Sequence, residues 1–217
     1  MLVGQRMTHP VITVEPETPA QEALIMMRRE KVRRFPVVDE HGHLVGIVAE
    51  RDLLHASPSD ATSLSVWELN YLVSKIKVEE VMSTDVVTVT EDDLLETAAR
   101  IMADNKIGGL PVVRDSRVVG IITETDLFKI FLEVLGARKP GIRLTVMVPN
   151  EPGVLASMTK AIYDLNGNIV SLGTFLGEDT ESTEITVKVE DVEEEALRKA
   201  IEPKVSKIID LRTTSPA

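Results

Sequence analysis

A chain of 217 residues, 43% hydrophobic and 27% charged, has room for one large domain or two to three small ones, with the balance of an ordinary soluble globular protein. The absence of cysteine excludes disulfides, zinc–thiolate sites, iron–sulfur clusters and cysteine nucleophiles, and a formal charge of −11 argues against nucleic-acid backbones as the partner. No apolar run approaches the roughly 20 residues of a membrane span, and the N-terminal Met1-Leu2-Val3-Gly4-Gln5-Arg6 lacks signal-peptide order.

A cytoplasmic protein that binds something small, and neither nucleic acid nor membrane, is therefore expected. An internal repeat organises its first two thirds. Met7-Thr8-His9-Pro10-Val11-Ile12-Thr13-Val14 recurs as Met82-Ser83-Thr84-Asp85-Val86-Val87-Thr88-Val89, an offset of 75 residues. Phe35-Pro36-Val37-Val38 recurs as Leu110-Pro111-Val112-Val113 at the same offset. Gly46-Ile47-Val48-Ala49-Glu50-Arg51-Asp52 recurs as Gly120-Ile121-Ile122-Thr123-Glu124-Thr125-Asp126 at 74, one residue having been lost from the intervening turn, where length changes are cheap.

Each unit reads as strand, helix, strand, turn, strand, short helix. Residues 11–14 form a β-branched run closed by Pro16, and Thr18-Pro19 opens a helix with Pro at its first position. Its stripe is Ala20, Ala23, Leu24 and Met27, matched in the second unit by Leu94, Leu95, Ala98, Ile101 and Met102. Residues 35–38 and 44–48 make a hairpin across Gly42. Between the units, residues 64–76 look helical, with Trp67, Tyr71 and Val73 as packing residues.

Gly136, Lys139, Pro140 and Gly141 mark a boundary. Beyond it the pattern is βαββαβ, a ferredoxin-like order. It runs as a strand over 142–148, a helix striped by Leu155, Met158, Ile162 and Leu165, strands over 169–176 and 183–189, a helix near Glu193-Glu194-Glu195, and a strand over 205–211. Asn166-Gly167-Asn168 ends the first of these helices.

On these motifs residues 1–135 resemble a tandem pair of CBS domains, a Bateman module, and residues 141–212 resemble an ACT domain through Asn150-Glu151-Pro152-Gly153-Val154-Leu155 and Gly167-Asn168-Ile169. The domain order is similar to that of acetoin-utilisation-type CBS–ACT proteins of bacteria. The implied fold class is α/β (α+β): CBS repeats of β-α-β-β-α type at 1–60 and 78–135, a linker helix at 61–77, and a βαββαβ ACT domain at 141–212. The resemblance implies a regulatory protein with no cofactor, taking AMP, ADP, ATP or S-adenosylmethionine between the repeats. It also implies homodimerisation, an amino acid or other effector at the ACT unit, and a regulated enzyme as a further partner. A ligand-independent module that docks on a metabolic enzyme is the alternative.

The repeated aspartates have two readings. In the second copy Thr123 and Asp126 have the spacing of a capping box before an apolar helix. In the first, Ala49 replaces the hydroxyl while Asp52 stays, and a carboxylate accepting a ribose diol accounts for both acids. The pocket holding Thr123 and Asp126, with Thr125 beside them, is the one expected to be filled if only one is. In CBS proteins the residues after the Met-(Thr/Ser) start and before Pro-Val-Val surround adenine. Here they are Thr84, Asp85 and Val86 with Gly109, Leu110 and Pro111 in one repeat, and His9, Pro10 and Val11 with Arg34, Phe35 and Pro36 in the other. Phosphate needs cations, and the densest basic run (Arg28, Arg29, Lys31, Arg33, Arg34) offers Arg33 and Arg34, with Lys106 in the second repeat and Arg51 in place of a hydroxyl.

His41 and His43 flank a hairpin glycine without a third ligand, so no metal site is expected, and no nucleophile, base and oxyanion hole assemble, so no enzyme is expected. In the ACT-like unit Asn150 is expected to cap the helix, and Gly153 leaves backbone open to an effector, with Val154, Leu155, Asn168 and Ile169 completing the implied site. Asn150 stands where the family usually has Asp. That removes a charge for an ammonium, and leaves amino-acid binding and pure dimerisation as alternatives.

Overall fold

The computed structural model describes residues 1–55 and 75–215 and divides into two compact units, Met1–Leu127 and Phe128–Ala217. In the first unit α1 (Ala20–Glu30) leads into a hairpin of β1 (Arg34–Val38) and β2 (Leu44–Ala49), followed by α2 (Glu50–His55). The second copy repeats this as α3 (Leu95–Asn105), β3 (Gly109–Arg114), β4 (Arg117–Thr123) and α4 (Glu124–Val134), whose residues from Phe128 onward belong to the second unit. The helical stripes face inward as their spacing requires: Ala20, Ala23 and Met27 are buried in one copy, Leu95, Ala98 and Met102 in the other. Helix α1 starts at Ala20, and Pro19 is the extended residue before it, one place earlier than its expected role. Both helices end on a lysine in the left-handed region, Lys31 at φ 56° and Lys106 at φ 54°.

Residues 11–14 and 86–89 pair far less than expected. Only Val14 and Val89 reach a neighbour, as parallel bridges to Val37 and Val112. Val14 N–H donates to Pro36 C=O and Val38 N–H to Val14 C=O, with the same pair of bonds around Pro111 in the second copy. The next bond of each ladder would have to come from the nitrogen of Pro36 or Pro111, which carries no hydrogen, so the ladder stops. The expected linker helix lies largely outside the described residues, with Trp67, Tyr71 and Val73. Lys75 and Ile76 are not helical, and Lys77 bridges to Pro19.

The two repeats exchange their opening segments. Thr8 pairs antiparallel with Ile121 of β4, and Ser83 with Ile47 of β2, each through two hydrogen bonds of 2.8–3.1 Å. This crossing sets the repeated glycines against the repeated methionines. A Cβ on Gly120 would strike the Met7 sulfur, and one on Gly46 the Met82 sulfur. A side chain at either glycine would displace the partner repeat's methionine.

In the second unit β5 (Gly141–Pro149), α5 (Val154–Asp164), β6 (Asn168–Leu176), β7 (Ser182–Glu190), α6 (Glu194–Ile201) and β8 (Lys207–Thr214) form one antiparallel sheet of order β6-β7-β5-β8. The βαββαβ order read from the sequence is the one found. Ile142, Leu144, Val146 and Val148 alternate with Ile185, Val187 and Val189 on one face, under Met158, Ala161, Ile162, Leu197 and Ile201 from the helices. Leu155, expected in the helical stripe, is 39% exposed. Asn166 closes α5 in the left-handed region at φ 58°, where the Asn166 and Gly167 N–H groups satisfy the carbonyls of Tyr163 and Ile162.

Candidate functional site

The crossing of the repeats creates a cleft of about 490 Å³ in the first unit, inside the size range of small-molecule sites. Ala49, Glu50, Arg51 and Asp52 reach it from the β2–α2 turn, and Ser83, Asp85, Val86 and Val87 from the segment paired with β2. Arg33 and Arg34 join that turn from the start of β1, where Arg34 pairs with Ala49, and Lys106, Ile107, Gly108, Gly109 and Glu124 complete the lining.

Asp52 occupies the third position of α2 and accepts the Ala49 N–H through Oδ2 at 3.1 Å. That is the reach-back half of a capping box, present without the hydroxyl. The exposed Arg51 guanidinium lies 3.5 Å from Oδ1. Asp126 repeats the arrangement, its Oδ2 accepting from Thr123 N–H at 3.1 Å and from Thr123 Oγ1 at 2.7 Å. Both capping and a ligand role remain open to each acid, since a carboxylate has about four lone-pair sites. The two differ in access: Asp126 is 8% exposed, whereas Asp52 is half-buried and lines the cleft.

The two repeats also differ in bulk beside the cleft. Arg33 and Arg34 occupy the positions that Gly108 and Gly109 hold in the second repeat. The Arg34 side chain lies over both glycines: a Cβ on Gly109 would fall 2.5 Å from its Nη1, and one on Gly108 2.8 Å from Glu124 Oε2. Burial lowers the Arg34 pKa, and the nearby Glu124 carboxylate acts against that shift. Four cations (Arg33, Arg34, Arg51, Lys106) thus meet four carboxylates (Glu50, Asp52, Asp85, Glu124) around one cleft. In a chain of charge −11 this lining is electrically balanced, and its four cations are the groups able to meet a phosphate.

Of the residues singled out in the sequence, Asp52, Asp85, Val86, Gly109, Arg33, Arg34, Arg51 and Lys106 come together at the cleft. Phe35, Pro36, Leu110 and Pro111 are buried in the interior, and Thr84 is exposed beside the cleft segment. His9, Pro10 and Val11 follow Thr8, which pairs with Ile121 of β4, and neither they nor Thr123, Thr125 and Asp126 line the cleft. Asp85, Val86 and Gly109 of the second repeat meet at the cleft as grouped in the sequence, and Asp52, Arg33 and Arg34 of the first repeat join them there. Ile47, Ser83, Ile107 and Gly108 also line it without having been singled out. The Gly108-Gly109 pair against Arg33-Arg34 was the available signal.

In the second unit Asn150 does not cap α5. Its N–H donates to Glu181 C=O at 2.8 Å and its Nδ2 to Thr180 C=O at 3.4 Å, which ties it to the β6–β7 turn. Gly153 precedes the helix at φ 91°, with open space where a Cβ would stand. Asn168 donates to Glu190 Oε1 at 2.5 Å. Asn150, Gly153, Val154, Leu155, Asn168 and Ile169 do not line this cleft. His43 is held by Asp39 at 3.1 Å in the hairpin turn, with His41 edge-on to it.

Comparison with known proteins agrees with this architecture. The CBS domain family matches residues 3–59 and 78–133, and the AHAS small subunit-like ACT domain matches residues 144–212. An uncharacterised protein of Methanocaldococcus jannaschii, MJ1225, is 36% identical over 138 residues, 60% of this chain; the chain spans about half (47%) of that relative's length. A CBS domain-containing protein of Dictyostelium discoideum is 31% identical over 62% of this chain and 94% of its own length. Among solved structures, a Vibrio cholerae protein assigned to acetoin utilization (AcuB) is 34% identical with TM-score 0.53, over 63% of this chain and 93% of that one. CBSX2, an Arabidopsis thaliana protein solved in complex with AMP, is 34% identical with TM-score 0.52, over 61% and 97%. The CBS domain pair of protein MJ0100, solved with 5′-methylthioadenosine and S-adenosyl-L-methionine, is 33% identical with TM-score 0.51, over 60% and 95%.

Proposed function

We propose that this chain, which belongs to the CBS-domain family and carries a C-terminal ACT-like domain, is a non-catalytic regulatory sensor that binds an adenine nucleotide or S-adenosylmethionine between its CBS repeats. The observation that carries this reading is the cleft in which Asp52, Asp85, Val86 and four cations converge. In it the Asp52 carboxylate accepts the ribose hydroxyls, and Ile47, Val86, Val87 and Ile107 supply apolar walls to the adenine. Arg33, Arg51 and Lys106 meet the phosphates or, for S-adenosylmethionine, its carboxylate. The AMP held by CBSX2 and the S-adenosylmethionine held by the MJ0100 pair support this ligand class.

The ligand shifts the pair only by its differential affinity for two states of it, and a homodimeric ACT-like unit passes that shift to a regulated enzyme. Calorimetry of the whole chain with AMP, ATP and S-adenosylmethionine tests the site. Asp52→Ala is expected to weaken the tightest of them about tenfold or more, the loss of a charge-assisted hydrogen bond. Asp126→Ala is expected to leave affinity within about twofold. Absence of binding by all three returns the chain to a ligand-independent docking role. The converse mutant pattern moves the site to the Asp126 side.

A further inference from the structure

We infer that the face of the ferredoxin-like sheet opposite its helices binds a small organic monocarboxylate with a compact apolar body. This rests on the second unit alone and is independent of the nucleotide reading. Registers place Ser171, Lys188, Arg143 and Arg212 in one cross-strand row over β6, β7, β5 and β8. Like charges directly opposite one another destabilise a sheet, and here three cations stand side by side. A single carboxylate, Asp210, serves two of them: it accepts from Arg212 Nε at 2.8 Å and from Arg143 Nη1 at 3.4 Å.

Lys188 is 5% exposed, and no carboxylate lies within ion-pairing distance of it among the described residues. Its ammonium donates to Gly136 C=O at 3.0 Å, where α4 ends with Gly136 left-handed at φ 60°. A helix C-terminus suits a cation, so this bond explains why Lys188 is buried. It uses one of three N–H donors.

A cleft of about 260 Å³ adjoins these groups. Arg143, Lys188 and Ser171 give it donors at one end, and Phe131 of α4 and Leu135 just beyond it add apolar surface, with Phe175 of β6 at the other end. Glu184 stands beside Phe175, four residues from Lys188 along β7 and so about 13 Å away along the backbone. An anion is favoured at the cationic row, an apolar body beside the aromatic rings, and a second carboxylate is repelled at the Glu184 end.

Isovalerate and glutarate are the probes, titrated into the whole chain by calorimetry and followed by backbone amide NMR. Isovalerate is expected to bind and to shift the Ser171 and Gly173 amides, with glutarate at least about tenfold weaker. Arg143→Gln, at an exposed side chain whose loss spares the fold, should weaken isovalerate about tenfold, while Arg34→Ala should not change it. Glu184→Gln should close most of the gap between the two acids. The inference is overturned if millimolar isovalerate gives no heat and no shift, if Arg143→Gln binds as wild type does, or if Arg34→Ala abolishes binding. Lys188→Met is avoided because it also frees the end of α4.

Discussion

At the scale of single residues, Gly46 and Gly120 are constrained by methionines that belong to the other repeat. Replacing glycine by alanine in a strand gains about 0.4–1 kcal/mol from the unfolded chain, whereas overpacking costs about 1–3 kcal/mol. The methionine side chain is flexible and gives way in part, so a net loss of about 1 kcal/mol is expected for each by chemical denaturation. Gly46→Ala should be the costlier, because its Cβ would also lie 3.2 Å from the rigid Ser83 carbonyl oxygen. Combined with Met82→Ala, Gly46→Ala should cost measurably less than the sum of the two single changes, the mark of side chains in contact. The repeat was legible in the sequence because equivalent residues look alike. Which copy touches which was not legible: similarity reports equivalence, and Met7 resembles Met82 while touching Gly120. The same limit kept Asp85 and Val86 apart from Asp52. Asn150 shows a different one, since its capping potential was spent on the β6–β7 turn, a partner about thirty residues away in sequence.

Elements were legible where local chemistry decides them. Periodicity gave α1, α3 and the ferredoxin-like order, and Gly42 at φ 80° gave the first hairpin. Residues 11–14 and 86–89 misled because β-branched composition says nothing about whether the neighbouring strand can donate, and Pro36 and Pro111 cannot. Turn and cap chemistry yields two tests. Asn166 holds a left-handed backbone that alanine adopts at a cost of about 1–2 kcal/mol, so Asn166→Ala should destabilise the second unit by about that amount, and Asn166→Gly should not. In the hairpin turn, Asp39 accepts the His43 and His41 N–H groups at 2.8 and 2.9 Å. The His43 backbone bond is the largest cause of its lowered pKa, with the His41 backbone bond and the His43 side chain acting the same way. A depressed carboxylate adds stability above its unfolded value and loses it as pH falls through its folded one. The turn should therefore hold at neutral pH and loosen below about pH 4. The protection of the His41 and His43 amides relative to their intrinsic exchange rates should fall in that window for wild type, and Asp39→Asn should show no such fall.

For the whole molecule, the two units carry separate cores: Phe35, Met27 and Val48 lie in one, and Leu144, Met158 and Ile162 in the other. Chains built this way need not unfold in one step. A ligand that binds only the native form stabilises by RT ln(1 + [L]/Kd), about 2.7 kcal/mol at a hundredfold excess over Kd. That stabilisation goes to the unit that holds the ligand. Scanning calorimetry of the intact chain is thus expected to show two transitions. AMP or S-adenosylmethionine should raise the one lowered by Gly46→Ala, and isovalerate the one lowered by Asn166→Ala. The substitutions identify the transitions because each lies within one unit, and neither Gly46 nor Asn166 itself lines a cleft. If both ligands raise the same transition, one of the two sites has been assigned to the wrong unit, and the Arg34→Ala and Arg143→Gln titrations say which. If a single transition moves with every ligand and every substitution, the units unfold as one body, and each ligand's stabilisation is shared by the whole chain.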